Sequence, residues 1–134
     1  MTIEINDKTT IRTVQRQIRK FFPFLKIRFA DKPGQSGKVM DDVHPYHSYV
    51  RLSEIVIRFT PGIITINPQD RVSDIEQLFI GQFGLYPQIF RADGYGWIQT
   101  AGTDIISIDE QNEIGQKSIE KINGVAGIQN MHLL

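Results

Sequence analysis

The residues best suited to metal chemistry lie close together in one short segment. Asp41, Asp42, His44 and His47 combine carboxylates with imidazoles, and histidines three positions apart can share a transition-metal ion on a turn. Only one other histidine is present, His132, and no regular element is predicted here to orient the four side chains. We therefore predict a flexible polar loop over residues 31–47 that holds no metal.

Motifs for nucleotide and acyl chemistry are incomplete in this chain. The segment 34–38 resembles a phosphate loop, but that motif needs glycine where Lys32 stands and serine or threonine where Val39 stands. The serine elbow Gly-x-Ser-x-Gly does not occur. No catalytic residue and no cofactor are predicted, so an enzyme whose site forms from residues distant in sequence is only a third alternative.

Charge is distributed unevenly along a chain that is neutral overall. Residues 1–40 contain nine Lys/Arg and three Asp/Glu, a net charge of +6, whereas residues 41–70 carry −2 and residues 71–134 carry −4. Such asymmetry steers an anionic partner to the basic end or draws two copies together head to tail. Overall neutrality disfavours non-specific binding of nucleic acid.

Basic side chains are predicted to share one surface. Four recur on the face of the first predicted helix opposite its apolar stripe, and two alternate with buried residues in the next strand. Two aromatic residues from a later hairpin complete the candidate interaction surface. Its members are Arg12, Arg16, Arg19, Lys20, Lys26, Arg28, Tyr95 and Trp97. The alternative is a solvated face that only keeps the protein soluble.

The aromatic hairpin supports a second interpretation. Residues 94–100 resemble the central signature of RNA recognition motifs, in which strand aromatics stack on bases. However, Asp93 stands where the signature opens with a basic residue, and Thr100 replaces its last aromatic. Binding of nucleic acid through the basic helix and the sheet face is therefore the alternative function.

An internal repeat is predicted to position these residues. Residues 2–31 and 63–93 share a hydrophobic pattern that each time reads strand, helix, strand. Thr9 and Asp70 are predicted to cap the two helices, and Pro23 and Gly84 to end them. The matched apolar positions are Ile3 with Ile64, Ile5 with Ile66, Ile11 with Val72, Val14 with Ile75, Ile18 with Phe79, Phe22 with Phe83, and Ile27 with Ile89.

Further elements complete one domain, residues 1–134. A strand is predicted over 55–59, and a hairpin turn at Asp93-Gly94 leads into a strand over 97–100. Ser107 and Glu110 have capping-box spacing and open a helix over about 108–122, closed by Gly124. The predicted fold is an α+β two-layer sandwich of two strand-helix-strand units, ferredoxin-like or related, plus a C-terminal helix. A β-grasp-like arrangement is the alternative.

Composition indicates a cytoplasmic protein. The chain has no cysteine, so disulfide scaffolds and thiolate metal sites are excluded. Its first residues lack the basic and apolar regions of a secretory signal, and no apolar run approaches the ~20 residues that span a bilayer. No membrane association is predicted.

The chain also resembles a family of small bacterial proteins with no assigned function. The matching residues are 22–27, 72–76, 83–85, 88–91, Trp97, Thr103-Asp104 and 109–113. The resemblance covers most of residues 1–115 and implies a compact domain without supplying an activity or site residues.

These observations favour a non-enzymatic module for protein interaction or assembly. Its partner is predicted to be another protein or a second copy of the chain. Binding of nucleic acid is the alternative, and an enzyme is third.

Overall fold

Antiparallel strands alternate with helices along the chain. The computed structural model describes residues 1–31, 48–101, 103 and 105–126. The strands are β1 (Thr2–Ile5), β2 (Leu25–Ala30), β3 (Gly62–Thr65), β4 (Tyr86–Asp93) and β5 (Gly96–Gln99). The helices are α1 (Ile11–Phe21), the single turn α2 (Leu52–Ile55), α3 (Val72–Phe83) and α4 (Ile108–Ala126). The metal candidates at 41–47 and the glycine-rich segment 34–38 lie outside the described residues.

The described strands form two antiparallel sheets. β1 pairs with β3, and the second sheet has the order β2-β4-β5. Ile3 lies opposite Ile64 in the first sheet, and Ile27 lies opposite Ile89 in the second. The predicted α+β two-layer architecture with a C-terminal helix is confirmed. Its strand order is that of a related arrangement, because a ferredoxin-like domain would hold its four strands in one sheet.

The core lies between the sheets and the helices. The apolar stripe predicted for α1 is buried, and so is the one predicted for α3. Phe29 of β2 meets Phe79 of α3 edge to face, with ring centroids 5.6 Å apart. The two stripes consist of Ile11, Val14, Ile18 and Phe22, and of Val72, Ile75, Phe79 and Phe83.

The prediction that Thr9 and Asp70 cap the two helices is wrong. The N-cap of α1 is Thr10, whose hydroxyl accepts from the N–H of Thr13, and α3 begins after Arg71 without a side-chain cap. Thr9 Oγ1 instead accepts from the N–H of Asn6 at 2.9 Å, and Asp70 Oδ2 accepts from the N–H of Asn67 at 2.8 Å. Both side chains therefore close the turn that precedes a helix.

The strand predicted over 55–59 is also wrong. Residues 52–55 form α2, and the backbone then bends through 56–58. The N–H of Leu52 bonds to the carbonyl of Thr9 at 2.8 Å, and the N–H of Ile11 bonds to the carbonyl of Val50 at 3.0 Å. These bonds hold the segment against the start of α1, so its apolar run does not join a sheet, and Ile57 is fully exposed.

Helix α4 begins where its capping residue predicts, but it ends several residues beyond its predicted end. Ser107 Oγ accepts from the N–H of Glu110 at 3.0 Å, as the capping-box spacing predicts. The helix then runs through Gly124 to Ala126, so the expected end near residue 122 is wrong. No described helix is long and apolar enough to cross a lipid bilayer.

Two helical glycines differ in their surroundings and give a paired prediction. A Cβ on Gly115 of α4 would lie 3.1 Å from the carbonyl oxygen of Phe24 and 3.3 Å from the backbone nitrogen of Ala92. Those two residues are themselves joined by a 2.8 Å backbone hydrogen bond, so neither moves easily. Gly115→Ala should therefore lower the free energy of unfolding, although alanine favours helix.

Gly81 of α3 is the matched control for that change. A methyl group at this position would meet no atom within 4 Å, and the residue is exposed. Gly81→Ala should raise the free energy of unfolding by about 0.5–1 kcal/mol. Urea denaturation of both variants measures the two effects. If Gly115→Ala were as stabilising as Gly81→Ala, α4 would not lie close against the sheet.

Candidate functional site

The outward face of the second sheet carries cations at regular spacing. Alternate residues of a strand point to opposite faces. Leu25, Ile27 and Phe29 of β2 are fully buried, whereas Lys26 and Arg28 are only half-buried. The helix-covered core therefore receives one set of side chains, and the opposite face receives the two cations.

Strand pairing brings aromatic residues to the same face. Lys26 lies opposite Phe90 of β4, and Ala92 of β4 lies opposite Trp97 of β5. Side chains of residues directly opposite each other share a face of the sheet. Because Ala92 carries only a methyl group, the indole of Trp97 has room to lie across β4 towards Lys26.

Cations lie over both rings. Lys26 Nζ is 4.8 Å from the centroid of Trp97 and 5.9 Å from that of Phe90. Arg28 Cζ lies 5.1 Å from the centroid of Phe90, and Arg19 Cζ of α1 lies 5.1 Å from that of Trp97. Each ring thus holds two cations within the range of a cation–π interaction. We call these five residues, Arg19, Lys26, Arg28, Phe90 and Trp97, the cationic-aromatic face.

Helix α1 is placed beside β2 by a specific contact. Gln15 Nε2 donates to the carbonyl oxygen of Ile27 at 3.1 Å, on the edge of β2 that faces away from β4. Arg19 follows Gln15 by one helical turn, so it lies on the same side of α1. The helix can therefore extend the guanidinium of Arg19 over the outward face of the sheet.

The other predicted surface residues lie apart from this cluster of contacts. Arg12 is half-buried, and its guanidinium lies 5.2 Å from the centroid of the Tyr49 ring. Lys20 lies 5.9 Å from the ring of Phe21, and Arg16 is exposed. Tyr95 occupies the hairpin turn with 79% of its surface exposed, and no cation–ring contact of the described residues includes it.

Phe90 was not among the surface residues predicted from the sequence, although the hydrophobic pattern contained a clue to its position. The predicted repeat would make Ile27 equivalent to Ile89, and the structure pairs these two residues directly. Had that pairing been assumed, Lys26 would have been placed opposite Phe90.

The turn between β4 and β5 is set by a glycine. Gly94 has φ +62° and stands first in a two-residue loop, a position at which hairpin turns favour glycine. The predicted hairpin is thereby confirmed. Thr100, which stands at an aromatic position of the RNA-binding signature, is buried and donates its hydroxyl to the carbonyl of Ile89 at 2.9 Å.

Two depressions elsewhere on the surface have a different character. An open groove of about 460 Å³ runs between residues 55–58 and 80–84, with Arg58 and Tyr86 in its lining. A smaller cavity of about 250 Å³ is lined in part by Asp31, Glu54 and Tyr86. Asp31 and Glu54 are both exposed, so the cavity does not enclose these two carboxylates. In the part of the chain that the structure describes, no three metal-binding side chains come together.

Comparison with known proteins adds no functional information. No family model, no curated protein and no solved structure matches the chain. The resemblance to a bacterial family therefore stays a prediction.

Proposed function

We propose that the protein is a non-enzymatic interaction module that binds an acidic segment of a partner protein through the cationic-aromatic face. The observation that carries the proposal is the convergence of Arg19, Lys26 and Arg28 on the rings of Phe90 and Trp97. Three cations on one surface attract carboxylates, and the lack of cysteine fits a cytoplasmic setting.

The rings make this surface better suited to binding than a solvated basic face. Long cationic side chains lose rotational freedom when they bind, which costs about 0.5–1.5 kcal/mol for each one immobilised. A cation already held over a ring has lost part of that freedom, and each exposed cation–π contact contributes about 0.5–1 kcal/mol. The surface is therefore partly ordered before a partner arrives.

The same contacts favour a protein over a nucleic acid. Stacking of a base needs an open face of an aromatic ring. Trp97 and Phe90 each already hold two cations within cation–π distance. A base that stacked on either ring would compete with these cations for the ring, whereas a carboxylate contacts the cations themselves.

A divergence between the two strand-helix-strand segments supports the assignment to this surface. We interpret the segments as duplicates, and Lys26 and Arg28 then correspond to Gln88 and Phe90. Strand pairing places Lys26 opposite Phe90 and Arg28 opposite Gln88. The first segment thus supplies two cations and the second an aromatic ring. The face is built from positions at which the two segments differ.

The only tryptophan of the chain lies in this face and gives a direct assay. We expect the fluorescence of Trp97 to change when a glutamate-rich peptide is added, and the affinity to fall as salt screens the charges. A peptide with glutamine in place of glutamate should bind at least about tenfold more weakly, equivalent to about 1.4 kcal/mol.

Two results would contradict the proposal. Equal affinity for the glutamate and glutamine peptides would show that charge does not drive binding. Tighter binding of a single-stranded oligonucleotide than of the glutamate peptide would favour the nucleic-acid alternative.

A further inference from the structure

The edge strands of the two sheets differ in whether a side chain contacts the backbone N–H and C=O groups that point away from the sheet. On β1, the hydroxyl of Thr9 contacts the carbonyl oxygen of Glu4 at 3.5 Å. On β3, Gln82 Nε2 donates to the carbonyl oxygen of Ile63 at 3.2 Å. The edge of β2 receives the side-chain amide of Gln15. Three of the four edges that the described strands form are therefore contacted by a neighbouring side chain.

The fourth edge belongs to β5. The hydrogen-bond pattern of the antiparallel ladder determines which backbone groups of β5 point outward. The N–H of Ala92 points to β2, where it bonds to the carbonyl of Phe24, so the pair of Ala92 and Trp97 is not hydrogen-bonded. Bonded and non-bonded pairs alternate in an antiparallel ladder. The N–H and C=O groups of Trp97 and Gln99 therefore point away from β4, and no described side chain bonds to them.

Strand β5 is short but lacks the residues that commonly guard an edge. Natural edges often carry charged residues or proline, because an open edge pairs with other strands. Residues 96–99 contain neither a charged residue nor proline. Trp97 and Ile98 are large apolar residues of this strand that remain 38% and 42% exposed. An edge of this kind is suited to accept a further strand.

We infer that β5 takes up an extended segment of the partner protein as a fourth, antiparallel strand, in which acidic and apolar residues alternate. This inference rests on the proposed function, since it specifies how the acidic partner binds. Partner residues opposite Trp97 and Gln99 would share their face, beside Lys26 and Arg19, and are acidic. The residue between them would lie opposite Ile98 on the other face and is apolar.

Charge argues against a second copy as the added strand. Pairing β5 with its own copy about a twofold axis would bring two sets of the same cations to one edge. An acidic strand would bring charge of the opposite sign instead. Backbone hydrogen bonds would supply affinity, and the alternating side chains would supply specificity.

Peptides with a methylated backbone test the inference. The parent is a capped peptide in which glutamate and valine alternate. In the inferred register the glutamate N–H groups bond to β5, whereas the valine N–H groups point away. Methylation of the glutamate nitrogens should weaken binding about tenfold or more, because those bonds are lost. Methylation of the valine nitrogens, with identical composition, should leave the affinity unchanged.

Exchange of amide hydrogens provides the readout on the protein. The amides of Trp97 and Gln99 should exchange more slowly when the parent peptide is bound, whereas that of Ile98 is already protected by β4. Equal binding of all three peptides would overturn strand addition while leaving the proposed function intact. Failure of the parent peptide to bind would overturn both. A dimer of the peptide-free protein with both amides protected would overturn the inference in favour of a second copy at the edge.

Discussion

Replacing both Arg19 and Lys26 with glutamate is expected to reduce affinity for an acidic peptide by about 100-fold or more. These two cations lie 5.1 and 4.8 Å from the ring of Trp97. The double change removes two attractive charges and introduces two repulsive ones at the same place. Titration of the tryptophan fluorescence measures the loss, and circular dichroism confirms that the variant is folded.

A matched variant separates this local effect from overall charge. Arg12→Glu with Lys20→Glu gives the same change in net charge, and both residues lie on α1. Their cations contact the rings of Tyr49 and Phe21 instead of the cationic-aromatic face. We expect only a small loss of affinity, about threefold or less, from long-range electrostatics. Equal losses in the two variants would mean that the peptide responds to net charge alone.

The largest effect on stability is expected for Phe79→Ala. Phe79 is fully buried in α3 and meets Phe29 edge to face. Removal of the ring takes away its packing and leaves a cavity, so the free energy of unfolding should fall by about 3–5 kcal/mol. That loss is a large fraction of the stability of an ordinary domain, which is about 5–15 kcal/mol. Urea denaturation followed by circular dichroism gives the value.

The neighbouring residue serves as the control for that measurement. Leu78 lies beside Phe79 in α3, but 39% of its surface is exposed. Leu78→Ala should therefore cost much less, about 1 kcal/mol or below. A loss at Leu78 as large as that at Phe79 would mean that α3 is rotated about its axis relative to this structure.

Local patterns in the sequence predicted most of the architecture. The apolar stripes of α1 and α3 follow from spacings of three and four residues, and the hairpin before β5 follows from Asp93-Gly94. Ser107 marked the start of α4 because its hydroxyl can accept a free backbone N–H. Each of these signals depends on residues that are near in the chain, which is why sequence reasoning could find them.

The errors arose where distant backbone groups decide the structure. Residues 55–59 have the composition of a strand, yet hydrogen bonds from residues 50 and 52 to the start of α1 hold that segment outside both sheets. No local pattern contains that information. The error in the N-cap of α1 is a shift of one residue, because Thr10, next to Thr9, carries the same hydroxyl group.

The candidate site was only partly predictable for the same reason. Alternation along β2 identified Lys26 and Arg28, but their aromatic partners come from strands more than sixty residues away in the sequence. The position of Arg19 depends on the contact between Gln15 and β2. The individual cations could therefore be named from the sequence, whereas their convergence on two rings could not.

NMR chemical-shift mapping shows directly whether an acidic peptide binds at the cationic-aromatic face. On addition of the alternating glutamate-valine peptide, we expect the largest shifts at the indole of Trp97 and at the backbone amides of Lys26, Phe90 and Gln99. Residues of the groove between α2 and α3, such as Gly81 and Gln82, should not move. Shifts concentrated in that groove, or no shifts at all at saturating peptide, would contradict the assignment of function to the cationic-aromatic face.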